Sequence, residues 1–268
     1  MKIARRSFLA GGLALRGEGA QPDFRAYSDA DKERFLKSAR IVSAKEIGHG
    51  VTKPLKLEMT LAGVQHAAKV QRVDVELPDY FPEKGRPVPM RDSWKYNIAA
   101  YRVDRVLGLG MAVVVAPRAY AKRPAAFSWW VDDVKGEEID RVKQNWVAPD
   151  PEGFARQQAL GKVFDELIFN IDRNLSNLLI TNAWRLVLID HSRCFTAFGG
   201  IRNRENLQRC SRGLLAGMRK LEGTQVRTAT EGLLTQAEID AMLQRRDAIV
   251  KFFEDRAKSI GEEKVLFG

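Results

Sequence analysis

The chain has 268 residues, 45% of them apolar and 29% charged, with only two cysteines. That composition excludes a disordered tail and a disulfide-stapled miniprotein, and the length suits one bilobal unit or two small domains. Lys plus Arg is 44 and Asp plus Glu is 34, a net charge of +10. This admits acidic small molecules, nucleic acid, an acidic protein or an anionic membrane surface as partners and says nothing about the fold.

Met1–Leu15, MKIARRSFLAGGLAL, opens with basic residues and continues into a short apolar stretch. Arg5-Arg6-Ser7-Phe8-Leu9 looks like a twin-arginine export signal, with Gly19-Ala20 as a candidate cleavage point. Residues 1–24 are therefore set apart as a leader or a disordered or helical extension. No run of 18 apolar residues occurs, so no transmembrane helix is expected. No Cys-x-x-Cys pair occurs and there are three histidines, which disfavours a Cys/His zinc site.

Ser28 precedes a capped helix over residues 29–40. Leu55, Leu57, Met59 and Leu61 alternate along one strand face. Ala62-Gly63 turns the chain, and residues 64–75 return as the second strand of a hairpin. Residues 77–91, rich in proline, read as a loop. A helix follows from Asp92-Ser93 to Leu107, with Trp94, Ile98 and Tyr101 on one face and Gly108 as its stop. Residues 111–115 and 126–131 are two more strands, with Trp129 and Trp130 expected in the core, and 133–150 shows no clear pattern. Residues 151–171 form a strong amphipathic helix through Leu160, Val163, Phe164, Leu167 and Ile168. Two short strands, 178–180 and 185–189, surround a turn at Asn182-Ala183. The remainder is helical, with a capping box at Thr235 and Glu238. Arg202, Arg204, Arg209, Arg212, Arg219 and Lys220 form a basic cluster, either a solvated face or a contact for an anionic surface. Strands first and helices later predict an α+β fold with two lobes, a β-rich N-lobe over 25–132 and a helical C-lobe over 133–268.

The chemistry concentrates in FNIDRNLSNLLITNAWRLVLIDHSRCF, residues 169–195. Asp172 and Asn177 lie five apart in a loop after a buried helix, and Asp190 ends a buried apolar strand. A charge there needs a partner. Asn177 and Asp190 offer two hard oxygen ligands to Mg²⁺, and Asp172 would then face a phosphate acceptor.

Asp172-Arg173-Asn174-Leu175-Ser176-Asn177 resembles the Asp-Arg-His-x-x-Asn catalytic loop of phosphoinositide-3-kinase-related and lipid-kinase-like enzymes. Ile189-Asp190-His191-Ser192 is similar to the metal-binding Asp-Phe-Gly segment in its atypical-kinase form. Residues 97–108 resemble the Glu-Ile-Ala-Ala-x-x-x-Asp-Arg-x-Leu-Gly segment of secretory-pathway casein kinases, and residues 189–195 their Leu-Asp-Asn-Gly-Arg-x-Phe. The resemblance runs from about residue 41 to 200. It implies a bilobal kinase-like fold that binds ATP and Mg²⁺ and transfers phosphate to an alcohol of a protein, lipid, sugar or small molecule. Asp172 would act on the acceptor hydroxyl, and Asn177 and Asp190 would hold the metal. Gly48 and Gly50 would form a shortened glycine loop, Lys69 would contact phosphate, and Val131 and Asp133 would lie beside the adenine.

Three positions depart from that pattern: Asn97 replaces the helix Glu that pairs with the lysine, Asn174 the loop His, and Ser192 the Gly after the metal Asp. Gln71 shares the strand face of Lys69 two residues on. A nucleotide-binding pseudokinase or regulatory module, and a basic nucleic-acid binder, therefore stand beside the enzyme reading. The leader points to the periplasm, whereas use of ATP points to the cytoplasm. No G-x-x-x-x-G-K-[ST] loop or G-x-S-x-G elbow occurs, which disfavours P-loop and serine-hydrolase chemistry.

Overall fold

A computed structural model describes residues 27–47, 54–80 and 87–268. The predicted leader at 1–24 and the predicted loop residues Gly48 and Gly50 lie outside the described residues. Helix α1 (Asp29–Ser38) opens with the capping box its sequence promises: Ser28 Oγ accepts from the Asp31 N–H and the Asp31 carboxylate accepts from the Ser28 N–H.

Strands β1 (Arg40–Glu46), β2 (Leu55–Leu61) and β3 (Val64–Gln71) form an antiparallel meander. Leu57 and Met59 bury the predicted face of β2. Ala62 and Gly63 link β2 to β3 with φ of 50° and 81°, the two positive values of a tight hairpin turn.

Here the structure departs from the predicted return strand, which stops at Gln71. The following residues form β4 (Asp74–Tyr80), paired antiparallel with β5 (Val88–Ser93). A hairpin thus stands where prolines suggested a loop. Pro78 and Pro89 are tolerated because a two-stranded ribbon has two open edges on which a missing N–H breaks no ladder bond. Val88 and Met90 point inward against Phe169.

Ser93 caps α2 (Trp94–Val106) by accepting from the Lys95 N–H. Asp104, wholly buried near its end, accepts hydrogen bonds from the N–H groups of Gly110, Met111 and Ala112 at 2.9, 3.0 and 3.0 Å. That carboxylate shapes the connection out of α2. Asp104→Ala orphans two buried donors, Met111 and Ala112, and frees the more exposed Gly110 N–H; it is expected to cost about 3 kcal/mol, read as a lower urea midpoint at neutral pH. An unchanged midpoint contradicts the assigned role.

The predicted strand at 111–115 contributes a single parallel bridge, Ala112 to Leu188, before β6 (Val115–Tyr120) begins. Strand β7 (Arg123–Trp129) completes a five-stranded sheet of order β1-β2-β3-β7-β6. Within 133–150 the structure has β8 (Val134–Glu137) and α3 (Glu138–Lys143).

Helix α4 (Pro151–Leu167) is capped by Asp150, whose carboxylate accepts from the Gly153 N–H. It ends four residues before its predicted limit, because Phe169 adopts φ +55° and Asn170 N–H folds back to Asp165 O. Strands β9 (Leu178–Thr181) and β10 (Leu186–Leu188) join β8 in a three-stranded sheet. The C-terminal part holds β11 (Cys210–Ser211), α5 (Arg212–Lys220), α6 (Gly223–Ala229), α7 (Gln236–Ile260), α8 (Glu262–Val265) and β12 (Leu266–Phe267). The predicted capping box at Thr235 and Glu238 opens α7.

Two large hydrophobic cores result among the described residues, beside the small cluster of Val88, Met90 and Phe169. Leu57, Val70, Ile98, Val115 and Phe127 fill the first, under the five-stranded sheet. Phe164, Leu167, Met218, Met242 and Phe253 belong to the second, among the helices. Helix α2 serves both, with Ile98 and Tyr101 in one and Ala99 and Val103 in the other. The fold is α+β, with a β-rich N-lobe and a helical C-lobe. In the predicted basic cluster, Arg212 pairs with Glu262 and Glu263, and Arg219 with Glu254. No helix among the described residues is long and apolar enough to cross a membrane.

Candidate nucleotide cleft and catalytic loop

The end of α4 builds the loop that follows it. Asp165, in its last turn, takes both arms of the buried Arg173 guanidinium, at 2.8 Å from Nε and 3.0 Å from Nη2. The remaining nitrogen, Nη1, donates to the carbonyls of Asn177 and Ile189, each at 2.8 Å. One arginine therefore ties the helix, the loop and the strand leading to Asp190 together. Asn170 adds to this, donating to Asp165 Oδ1 and accepting from the Asp172 N–H.

Asp172, Asn177 and Asp190 converge as a result. Asn177 Nδ2 donates to the Asp172 carbonyl at 3.1 Å, which leaves the amide oxygen as its ligand-capable atom. The Ile189 N–H donates to the Asn177 carbonyl at 3.1 Å, placing Asn177 beside the Asp190 peptide. Asp190 has φ +55°, an uncommon conformation for a residue with a Cβ. From β3, Lys69 Nζ donates to Asp190 Oδ2 at 3.0 Å. The other oxygen, Oδ1, is buried without a hydrogen-bond partner among the described residues.

Asn97 does not join Lys69. Its Nδ2 donates to Gln71 Oε1 at 3.0 Å, and its Oδ1 accepts from the His191 N–H at 2.8 Å. His191 is buried, and burial, reinforced by Arg173 and Lys69, pushes its imidazole well below the usual range. It stands neutral behind Asp190.

The Asp172 carboxyl is held above its ordinary value. Burial is the main cause, Arg193 opposes it, and the neighbouring Asp190 and Asp92 charges add to it. Arg193 braces this acid, with Nη1 3.5 Å from Asp172 Oδ2 and Nε 2.8 Å from Asp92 Oδ2.

Beside these groups opens a cleft of about 610 Å³. The upper sheet contributes Ile47 and Pro54, the connection between the lobes Trp130 and Val131, and the lower strands Leu179 and Ile189. Lys69 and Asp190 also line it, as does Asn97. Trp129 is buried as predicted, whereas Trp130 is half-exposed, with Lys56 Nζ 4.5 Å from its ring. Asp133, predicted beside the adenine, is placed elsewhere. With φ +57° its carboxylate accepts from Asn182 Nδ2 at 2.7 Å, and it borders a second cavity of about 500 Å³. Sequence reasoning did not single out Asp165, Asp92, Arg193 or Gln71 as site residues. Two left a signal: Arg193 by its place in the segment after Asp190, and Gln71 by sharing the strand face of Lys69.

An unpartnered buried carboxylate oxygen is costly, and Asp190 Oδ1 with the Asn177 amide oxygen is a hard-oxygen donor set of the kind Mg²⁺ or Mn²⁺ takes when phosphates supply the remaining ligands. No group of three His, Cys, Asp or Glu side chains among the described residues forms a self-sufficient metal site. The residues present fit a metal shared with a bound phosphate.

A β-rich lobe over a helical lobe, with this loop at their junction, is an atypical kinase-like fold. Solved structures share it. Hydra Fam20 with sugar matches at a TM-score of 0.66 and 14% identity over 89% of this chain and 91% of that one. The Golgi casein kinase with Mn/ADP bound matches at 0.65 and 13% over 89% and 78%. The Helicobacter pylori proinflammatory kinase CtkA matches at 0.53 and 9% over 84% and 98%. No family model matches the sequence, and no curated protein does. At these identities the likeness is one of fold.

Proposed function

We propose that the protein is a phosphotransferase that uses ATP and a divalent metal to phosphorylate an alcohol. The observation that carries this reading is the Lys69–Asp190 ion pair on the wall of a cleft between the lobes, with the Asp172–Asn177 loop tied beside Asp190 through Arg173 and the Ile189 N–H. Trp130, Val131, Leu179 and Ile189 offer apolar surface to a flat adenine. Lys69 neutralises phosphate charge. Asp190 Oδ1 and the Asn177 amide oxygen would hold the metal, which when bound offsets the negative charge of the transferring phosphoryl group. Asp172 orients the acceptor hydroxyl and takes its proton, and Arg193 keeps the carboxylate aimed. Positioning and electrostatics supply the rate.

Labelled ATP with Mn²⁺ or Mg²⁺ tests the reading. Label on the chain or as free phosphate supports it when Asp172→Asn abolishes the signal. Transfer that survives in Asp172→Asn overturns the assignment.

The raised Asp172 carboxyl sets the pH dependence. A proton acceptor must be ionised, so kcat/KM is expected to fall on acidification at a pH above the ordinary aspartate range. Arg193→Met removes the opposing cation and should move that limb further up. The stability sign is the reverse of a salt-bridged acid's. A carboxyl whose folded value is raised contributes stability below its unfolded value and loses it as pH rises through the folded one. Asp172→Asn should therefore melt higher than wild type at neutral pH while transferring no phosphate. An acid limb unmoved by Arg193→Met contradicts the proton-acceptor role.

A pseudokinase is the second reading, favoured by one observation. Asn97 is committed to Gln71 and His191, so Lys69 has no carboxylate from α2. ATP binding without any transfer would select it.

A further inference from the structure

We infer that Asn97 and Gln71 form a positioning pair that sets the Asp190 peptide, and through it the carboxylate oxygen offered to the metal. The inference rests on the phosphotransferase reading and adds a role for two residues on α2 and β3.

Both side chains are buried, Asn97 at 3% and Gln71 at 5% exposure, so their polar atoms depend on protein partners. The hydrogen-bond chain fixes its own polarity. A backbone N–H can only donate, so the Asn97 atom facing His191 N is the oxygen. The Asn97 nitrogen then faces Gln71, whose facing atom must be its oxygen. No flipped arrangement keeps both bonds while Asn97 remains an amide.

The peptide so held is the one joining Asp190 to His191. Asp190 carries φ +55°, a conformation that costs energy for a residue with a Cβ and persists where the surroundings impose it. One imposing contact is Asn97 Oδ1 on the His191 N–H. A second comes from the cap of the same helix, where the Ser93 N–H donates to the Ser192 carbonyl at 2.8 Å. Helix α2 thus grips the metal-holding segment at two successive residues, and Gln71 anchors that grip to the strand carrying Lys69. The link between strand, helix and Asp190 is made by neutral dipoles. Lys69 is left to pair with Asp190 itself.

The pair therefore acts through Asp190, and its loss should appear in metal-dependent nucleotide affinity more than in nucleotide affinity alone. The test is calorimetric titration of ADP into the full chain, with and without Mn²⁺, together with hydrogen exchange at the His191 amide in metal-free protein. Asn97→Leu should lose about tenfold of the Mn²⁺-dependent gain in ADP affinity, the usual size of an outer-shell effect, read as the ratio of ADP affinities with and without Mn²⁺ so that a direct change at the cleft wall cancels. Asn97→Asp still offers an oxygen to the His191 N–H, and a turned Gln71 amide can donate to it. It should recover to within about threefold of wild type. Exchange at the His191 amide should accelerate in Asn97→Leu and not in Asn97→Asp.

If Asn97→Leu keeps the full Mn²⁺ gain, or Asn97→Asp loses as much as Asn97→Leu, the inference is overturned. If Asn97→Leu does not fold, Gln71→Leu takes its place. A loss of Mn²⁺ gain beyond about threefold supports the pair and wild-type behaviour overturns it. If wild type itself gains nothing from Mn²⁺, the phosphotransferase reading fails, and the exchange comparison at His191 still decides whether Asn97 sets that peptide.

Discussion

Asp190→Ala is expected to lower phosphoryl transfer by about 10³-fold or more and to remove the metal-dependent part of nucleotide binding. Two losses coincide in this one change. On the proposed reading the unpartnered Oδ1 is the carboxylate atom that would hold a metal, and Oδ2 is the ion partner of Lys69. Without the carboxylate, Lys69 keeps its charge but loses the group that orients it. The fold should survive, because side-chain exposures of 21% and 28% mark a partly exposed pair, and such pairs contribute about 1 kcal/mol or less. Alanine at φ +55° adds a cost of similar order, about 1 kcal/mol. Labelled-ATP turnover and thermal unfolding on one preparation separate the effects. Lost turnover with a melting temperature within a few degrees of wild type is the expected pair of results. Turnover within about tenfold of wild type would remove Asp190 from the chemistry.

Legibility in the sequence followed the range of the forces involved. Helices α1 and α7 were readable because a capping box is local: Ser28 with Asp31, Thr235 with Glu238. The β2–β3 hairpin was readable from alternation and a two-residue turn. The β4–β5 hairpin was not, because its prolines signal a loop in any local reading and its inward residues pack on Phe169, 79 or more positions away in sequence. Residues 133–150 were opaque because β8 gains its pairing from β9. In the site, Asp172, Asn177 and Asp190 stood out because polar residues flank a buried helix and a buried strand. The partner of Asn97 did not. Lys69 and Gln71 share one face of β3, and only the packing of α2 selects the neutral member for Asn97. Asp133 lines the second cavity and not the cleft at Lys69 for a related reason. Chain order brings it close to the cleft, but its left-handed backbone turns it toward Asn182.

Arg173→Leu is expected to cost about 3–5 kcal/mol, the usual result of stripping a buried ion pair of one partner. The side chains of Arg173 and Asp165 are 12% and 9% exposed. Removing the guanidinium leaves the Asp165 carboxylate with Asn170 Nδ2 as its remaining side-chain donor. It also deprives the Asn177 and Ile189 carbonyls of the donor they share. For a chain of this size that loss corresponds to a fall in melting temperature of about 10 °C. The exposed pair Lys251 and Asp255 is the control, since breaking it should cost no more than about 0.5 kcal/mol. A double variant, Arg173→Leu with Asp165→Leu, distinguishes the cause. If the uncompensated charge dominates, the double variant recovers part of the loss, because no buried carboxylate remains to be desolvated. If the hydrogen bonds lost from the Asn177 and Ile189 carbonyls dominate, it recovers none. Either outcome leaves phosphoryl transfer abolished, because Arg173 is the common tie of the two chain segments that carry Asp172 and Asp190. A double variant that transferred phosphate at the wild-type rate would show that those segments hold their positions without it.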